Sequence, residues 1–132
     1  MEWAGTKRIA SVLVIDDDPM MTRLVSTVLE SDGHICHTAN SGAEGLAQAH
    51  EIRPDLIFVD ISMPDMTGYD VTRQLKDQPQ FQNTPIIYLT GKPPSEDGGR
   101  SFSTGGLAFI RKPFSPKQLK ELVSVTLMSI GG

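Results

Sequence analysis

The apolar run Val12-Leu13-Val14-Ile15 passes straight into Asp16-Asp17-Asp18, so the end of a buried strand carries three carboxylates. Crowded carboxylates repel one another and retain protons unless a cation is near, and three hard oxygen donors suit Mg²⁺ or Ca²⁺. This segment alone leaves two readings open. One is a divalent-metal site; the other is a helix start, where acidic residues favour the first turn and Pro19 suits a position near it. A second run, Asp55-Leu56-Ile57-Phe58-Val59-Asp60, follows Pro54 and also ends in acid. Ligands of an open parallel sheet bind at the carboxyl ends of its strands, so Asp16, Asp17 and Asp60 converge if their strands are parallel neighbours. The interval between the runs has room for a helix, a strand and a second helix, as a doubly wound sheet requires.

The rest of the chain keeps that rhythm. A strand over Ser11 to Ile15 precedes a helix from Met20 to Ser31 with apolar Met21, Leu24, Val25, Val28 and Leu29, which Gly33 ends. His34 to Thr38 reads as a second strand, and Ser41 caps a helix through Glu51 with Ala43, Leu46, Ala47 and His50 on one face. After the loop Ile61 to Thr67 come a helix from Gly68 to Lys76 and a strand from Pro85 to Leu89 that ends at Thr90. The stretch Gly91 to Gly106 is rich in glycine and proline and has room for a short helix near Glu96 to Ser103. A fifth strand over Leu107 to Arg111 leads into Lys112-Pro113. Ser115 or Pro116 then opens a last helix with Leu119, Leu122, Val123, Val125 and Leu127 as apolar positions. Five strands and five helices are expected, with residues 9–130 as one domain and 1–8 as an N-terminal extension.

Composition narrows the function classes. A formal net charge of −4 with twelve scattered basic residues argues against direct nucleic-acid binding by this domain. Apolar runs are strand-length and Met1 to Arg8 lacks a signal peptide's apolar core, so no membrane association and a cytoplasmic location are expected. The single cysteine, Cys36, falls in a strand and is expected to be a buried, inert thiol.

The polar strand ends form a set: Asp16-Asp17 after the first strand, Asp60 after the third, Thr90 after the fourth and Lys112-Pro113 after the fifth. With Val-Leu-Val-Ile-Asp-Asp-Asp-Pro, Pro-Asp-Leu-Ile-Phe-Val-Asp-Ile-Ser-Met-Pro-Asp-Met-Thr-Gly and Arg-Lys-Pro-Phe, this set resembles the receiver domain of bacterial response regulators, from about Arg8 to Met128. The resemblance implies an α/β fold with a doubly wound five-stranded parallel sheet in the flavodoxin-like order 2-1-3-4-5. It implies that Asp60 accepts a phosphoryl group from a histidine kinase or histidine phosphotransfer protein. Mg²⁺ would be held by Asp17, Asp60 and the Ser62 backbone carbonyl, with Asp16 acting through water. Lys112 and Thr90 would contact phosphoryl oxygens, and Thr90 with Phe109 would form the switch. Such a domain is a signalling phosphoacceptor that catalyses only its own phosphorylation and dephosphorylation. It passes the signal to an effector domain or protein, in some cases through a phosphorylation-dependent homodimer. None of His34, His37 and His50 falls at a predicted site, so the donor histidine belongs to another chain or domain.

The chain departs from the family pattern at Gly91, in the Glu96-Asp97-Gly98-Gly99 stretch, and at Ser62 and Lys92, positions that tune hydrolysis. The rival reading is a haloacid dehalogenase-type phosphatase with Asp16 as nucleophile and Asp18 as acid. It leaves Asp60 without a role, has Met20 where a threonine is usual, and lacks the late acidic pair. A flavodoxin-like FMN binder would need a phosphate loop after the first strand, which this sequence lacks.

Overall fold

The structure is a computed structural model that describes residues 9–91 and 103–130. Five strands, β1 Ser11–Ile15, β2 Ile35–Ala39, β3 Leu56–Asp60, β4 Ile86–Thr90 and β5 Ala108–Arg111, form one parallel sheet in the order β2-β1-β3-β4-β5. Four α-helices accompany it: α1 Pro19–Ser31, α2 Gly42–Ile52, α3 Gly68–Lys76 and α4 Pro116–Ile130, with a 3₁₀ turn at Pro79–Phe81. The helix expected near Glu96 to Ser103 lies, apart from Ser103, outside the described residues, as do the expected extension 1–8 and Lys92. No helix among the described residues is long and apolar enough to cross a membrane.

Both faces of the sheet are covered, which is why its three central strands read as unbroken apolar runs rather than alternating ones. Val12, Val14, Leu56, Phe58, Ile87 and Leu89 point toward Val25 and Leu29 of α1 and Leu119 and Val123 of α4. Leu13, Ile15, Ile57, Val59, Ile86 and Tyr88 point the other way, toward Ala49 of α2 and Val71 and Leu75 of α3. The helix ends follow local chemistry. Asp18 caps α1, Ser41 caps α2, and Thr67 with Asp70 makes a capping box on α3. Past α1, Gly33 adopts φ +93°, a left-handed conformation open to glycine at no steric cost.

Several expected helix faces are displaced. On α2 the buried residues are Gly42, Gly45 and Ala49, whereas Ala43, Ala47 and His50 are exposed and Leu46 is half-buried. The helix lies so close to the sheet that a Cβ on Gly45 would sit 2.5 Å from Ile15 Cδ1, so small residues, not the larger apolar ones, form the contact. Leu24 of α1 and Val125 of α4 are exposed, and Thr22 and Thr126 occupy buried positions on those helices. Each threonine hydroxyl donates to a backbone carbonyl, of Pro19 and Leu122, which makes the burial tolerable. His34 precedes β2 rather than opening it. Cys36 is half-buried, and desolvation followed by the nearby Glu30 carboxylate pushes its thiol up to about 12, which keeps it inert.

Candidate functional site

The register of β1 on β3 builds the centre of the site. Val14 pairs with Phe58 and Ile15 with Val59, so the next residue of each strand, Asp16 and Asp60, comes to the same edge of the sheet. Asp16 is fully buried, Asp60 is 8% exposed and Asp17 is open to solvent, and carboxylate oxygens of all three lie within 4.8 Å of one another. Asp18 has a different task. Its side chain accepts from the Met20 N–H at 3.0 Å, and its own N–H donates to Asp16 Oδ1 at 3.0 Å. The helix-start reading of the acidic triplet thus holds for Asp18, while Asp16 and Asp17 join Asp60 in a cluster that could hold a metal ion.

Lys112 enters from β5. Its N–H donates to the Thr90 carbonyl at 2.7 Å, and its ammonium Nζ lies 2.9 Å from Asp16 Oδ2 and 3.5 Å from Asp60 Oδ1. The Lys112–Pro113 peptide is cis. Burial opposes the lysine's charge, but the bond to Asp16 and the charges of Asp60 and Asp16 outweigh it and hold the ammonium above its ordinary value. Asp60 goes the other way from a usual carboxylate. Desolvation, then the Asp16 charge, pushes it up to about 6, against the pull of Lys112 and of the Ser62 N–H, which donates to Asp60 Oδ1 at 3.4 Å. One lysine against three carboxylates leaves the cluster short of positive charge, and its all-oxygen donor set fits a hard divalent cation.

Strand parity separates the remaining residues. Thr90, Tyr88 and Phe109 lie on the α2/α3 side of the sheet, where Phe109 packs against the core, while Lys112 shares the parity of Ile110 on the opposite side. Thr90 is 7% exposed and stands one residue beyond Leu89, the partner of Asp60. Phe109 is half-buried and is the register partner of Tyr88. Ser62 is exposed at the start of the loop. The histidines stay away from the acidic cluster. His34 Nδ1 accepts from the Ala10 N–H, His37 lies in edge strand β2, and His50 sits edge-on to Phe81.

Three contributors escape sequence reasoning. Gly68 is one: a Cβ there would run into the Asp60 backbone carbonyl, and its N–H closes the loop on the Ile61 carbonyl at 2.9 Å. In the sequence this glycine stands at the end of the signature segment Met-Pro-Asp-Met-Thr-Gly and at a helix start, and neither position reveals its contact with Asp60. Asn40 and Asp65 are the others, through bonds to backbone groups 24 and 22 to 23 residues away that no local pattern marks. Asp16 is sealed from solvent with its carboxylate bonded by Lys112 and Asp18, so the phosphatase reading with Asp16 as nucleophile finds no support.

Comparison with known proteins agrees with this geometry. The probable transcriptional regulatory protein TcrX of Mycobacterium tuberculosis is 35% identical over 109 residues, covering 83% of this chain and 46% of TcrX. The DNA-binding response regulator MtrA of Mycolicibacterium smegmatis is 34% identical over 116 residues, covering 88% of this chain and 50% of MtrA. The chain therefore spans about half the length of these curated relatives. The high-resolution structure of chemotaxis response regulator CheY4 of Vibrio cholerae superposes with a TM-score of 0.87 at 33% identity, covering 91% of this chain and all of that one. Residues 12–124 match the family described as response regulator receiver domain, and with that fold, that strand order and that acidic edge the chain belongs to this family of two-component signalling domains.

Proposed function

We propose that Asp60 is the phosphoacceptor of this receiver domain and that residues 9–130 form the signalling unit. The observation that carries the reading is the Lys112 ammonium bridging Asp16 and Asp60 at the edge where three carboxylates meet. A carboxylate oxygen of Asp60 attacks phosphorus in line, the P–N bond of a donor phosphohistidine breaks, and the leaving imidazole takes up a proton. Lys112 already stands beside Asp60 and follows the charge onto a phosphoryl oxygen, and the Thr90 hydroxyl donates to another. Asp17, Asp60 and the Ser62 carbonyl would hold Mg²⁺, with Asp16 acting through water, and the ion would offset the negative charge of the arriving phosphoryl group.

The signal leaves through Thr90 and Phe109, which share one side of the sheet edge: Thr90 shifts toward the phosphoryl group and Phe109 fills the space it leaves. The donor is a cytoplasmic histidine kinase or phosphotransfer protein, consistent with the absence of a histidine from the acidic cluster. The recipient is an effector domain, an effector protein or a second phosphorylated copy of the domain. Its similarity to TcrX, a probable transcriptional regulatory protein, and to MtrA, a DNA-binding response regulator, favours a transcriptional output.

The test is intact mass after incubation with acetyl phosphate and Mg²⁺. Wild type gains one labile adduct of about 80 Da, Asp60→Asn gains none, and Asp16→Asn gains less than wild type. An adduct that persists in Asp60→Asn overturns the assignment.

A further inference from the structure

The lip of α2 touches both halves of the acidic edge. Asn40 Nδ2 donates to the Asp16 backbone carbonyl at 3.1 Å, and the Asn40 N–H is held by Glu44 Oε1 at 2.8 Å. Two residues on, the Gly42 N–H donates to Asp65 Oδ1 and the Ala43 N–H to Asp65 Oδ2, each at 3.0 Å. These two donors hold the Asp65 carboxyl below its ordinary range. Gly42 is buried under Met66, and a Cβ there would run into the Met66 side chain, so the loop lies flush on the helix end. This loop, Ile61 to Thr67, follows Asp60, carries Ser62 and is closed at its base by the Gly68 N–H on the Ile61 carbonyl. Among the described residues, Asp65 supplies the hydrogen bonds that join the tip of this loop to another element.

We propose that Asn40 and Asp65 are positioning residues that brace the acidic edge across the N-terminal turn of α2, setting the spacing between Asp16-Asp17 and Asp60 with the Ser62-bearing loop that follows it. The inference rests on the Mg²⁺ reading above. Capping alone does not account for Asp65. Ser41 already accepts from the Glu44 N–H at 3.0 Å, and Asp65 reaches from another element to take the two N–H groups that Ser41 leaves. A cap stabilises the helix, whereas a brace also decides whether oxygen ligands on two separate segments meet one ion.

Calorimetric titration of MgCl₂ into wild type, Asn40→Ala, Asp65→Ala and Asp65→Asn, with metal-free thermal melts alongside, separates the two roles. The Mg²⁺ dissociation constant rises roughly tenfold in Asp65→Ala, as for removal of groups that orient metal ligands. It rises less in Asp65→Asn, which retains one acceptor oxygen, and also rises in Asn40→Ala. Should Asp65→Ala not fold, Asp65→Asn decides. Variants that melt lower but bind Mg²⁺ within twofold of wild type overturn the brace and leave a cap. A wild-type domain that binds no Mg²⁺ overturns the metal reading, and the brace with it.

Discussion

Lys112 and Asp16, 96 residues apart in sequence, make the tighter ion pair of the site, with Nζ 2.9 Å from Oδ2, while Asp60 stands 3.5 Å from the same ammonium. Asp16 is fully buried and holds the lysine in place, which leaves the Asp60 carboxylate the less tightly engaged of the two. Replacing Lys112 with Met strands Asp16 and Asp60 without their counter-charge. The expected cost is about 3–5 kcal/mol of stability by urea unfolding, with the buried Asp16 the main source of the loss. Acetyl phosphate labelling of Lys112→Met falls by at least roughly a hundredfold, since a group that neutralises the transferring phosphoryl is gone.

In the presence of a chelator the domain loses stability as pH rises from about 4 to about 6. Asp60 titrates near 6 when folded and near 3.8 when unfolded, so the folded state binds the extra proton in that window and is favoured at its acid end. Two pKa units correspond to at most about 3 kcal/mol. Asp60→Asn therefore exceeds wild type in stability at pH 7 and converges with it toward pH 4. Guanidinium unfolding of the pair across pH checks this, and equal stabilities at pH 7 would contradict it.

Gly68→Ala places a methyl group against the Asp60 carbonyl, a backbone atom that cannot swing aside. Overpacking of this kind costs about 1–3 kcal/mol, here by displacing the loop after Asp60. Phosphorylation by acetyl phosphate should slow by more than the fall in melting temperature accounts for, because the backbone of Asp60 itself is pushed.

Tyr88→Phe removes a hydroxyl that lies 2.6 Å from Thr104 Oγ1 in a buried setting, while the ring keeps its contact with Tyr69 5.3 Å away. A lost buried hydrogen bond costs about 1 kcal/mol. Tyr88 is the register partner of Phe109 and lies two residues before Thr90, so the same change should alter how phosphorylation is felt at β5. Chemical shifts of Phe109 with and without beryllofluoride are the measurement.

Residues at strand ends were legible because a strand that emerges from a buried sheet needs a reason to terminate in charge. Asp16, Asp17, Asp60, Thr90 and Lys112 all stand where the alternation of strand and helix puts them, and Ser41 and Gly33 marked their helix ends through local hydrogen-bond and φ requirements. The face of α2 was not legible. Its contact runs through Gly42 and Gly45, and a reading that weights large apolar residues turns the helix away from Ile15. Local order of polar and apolar residues, which acts over a few bonds, determined the elements and the edge on which the acids gather. Only the tertiary structure decided that Lys112 leans on Asp16 and that Asp65 clasps α2. Those choices depend on distances between segments that become neighbours only after the sheet has formed.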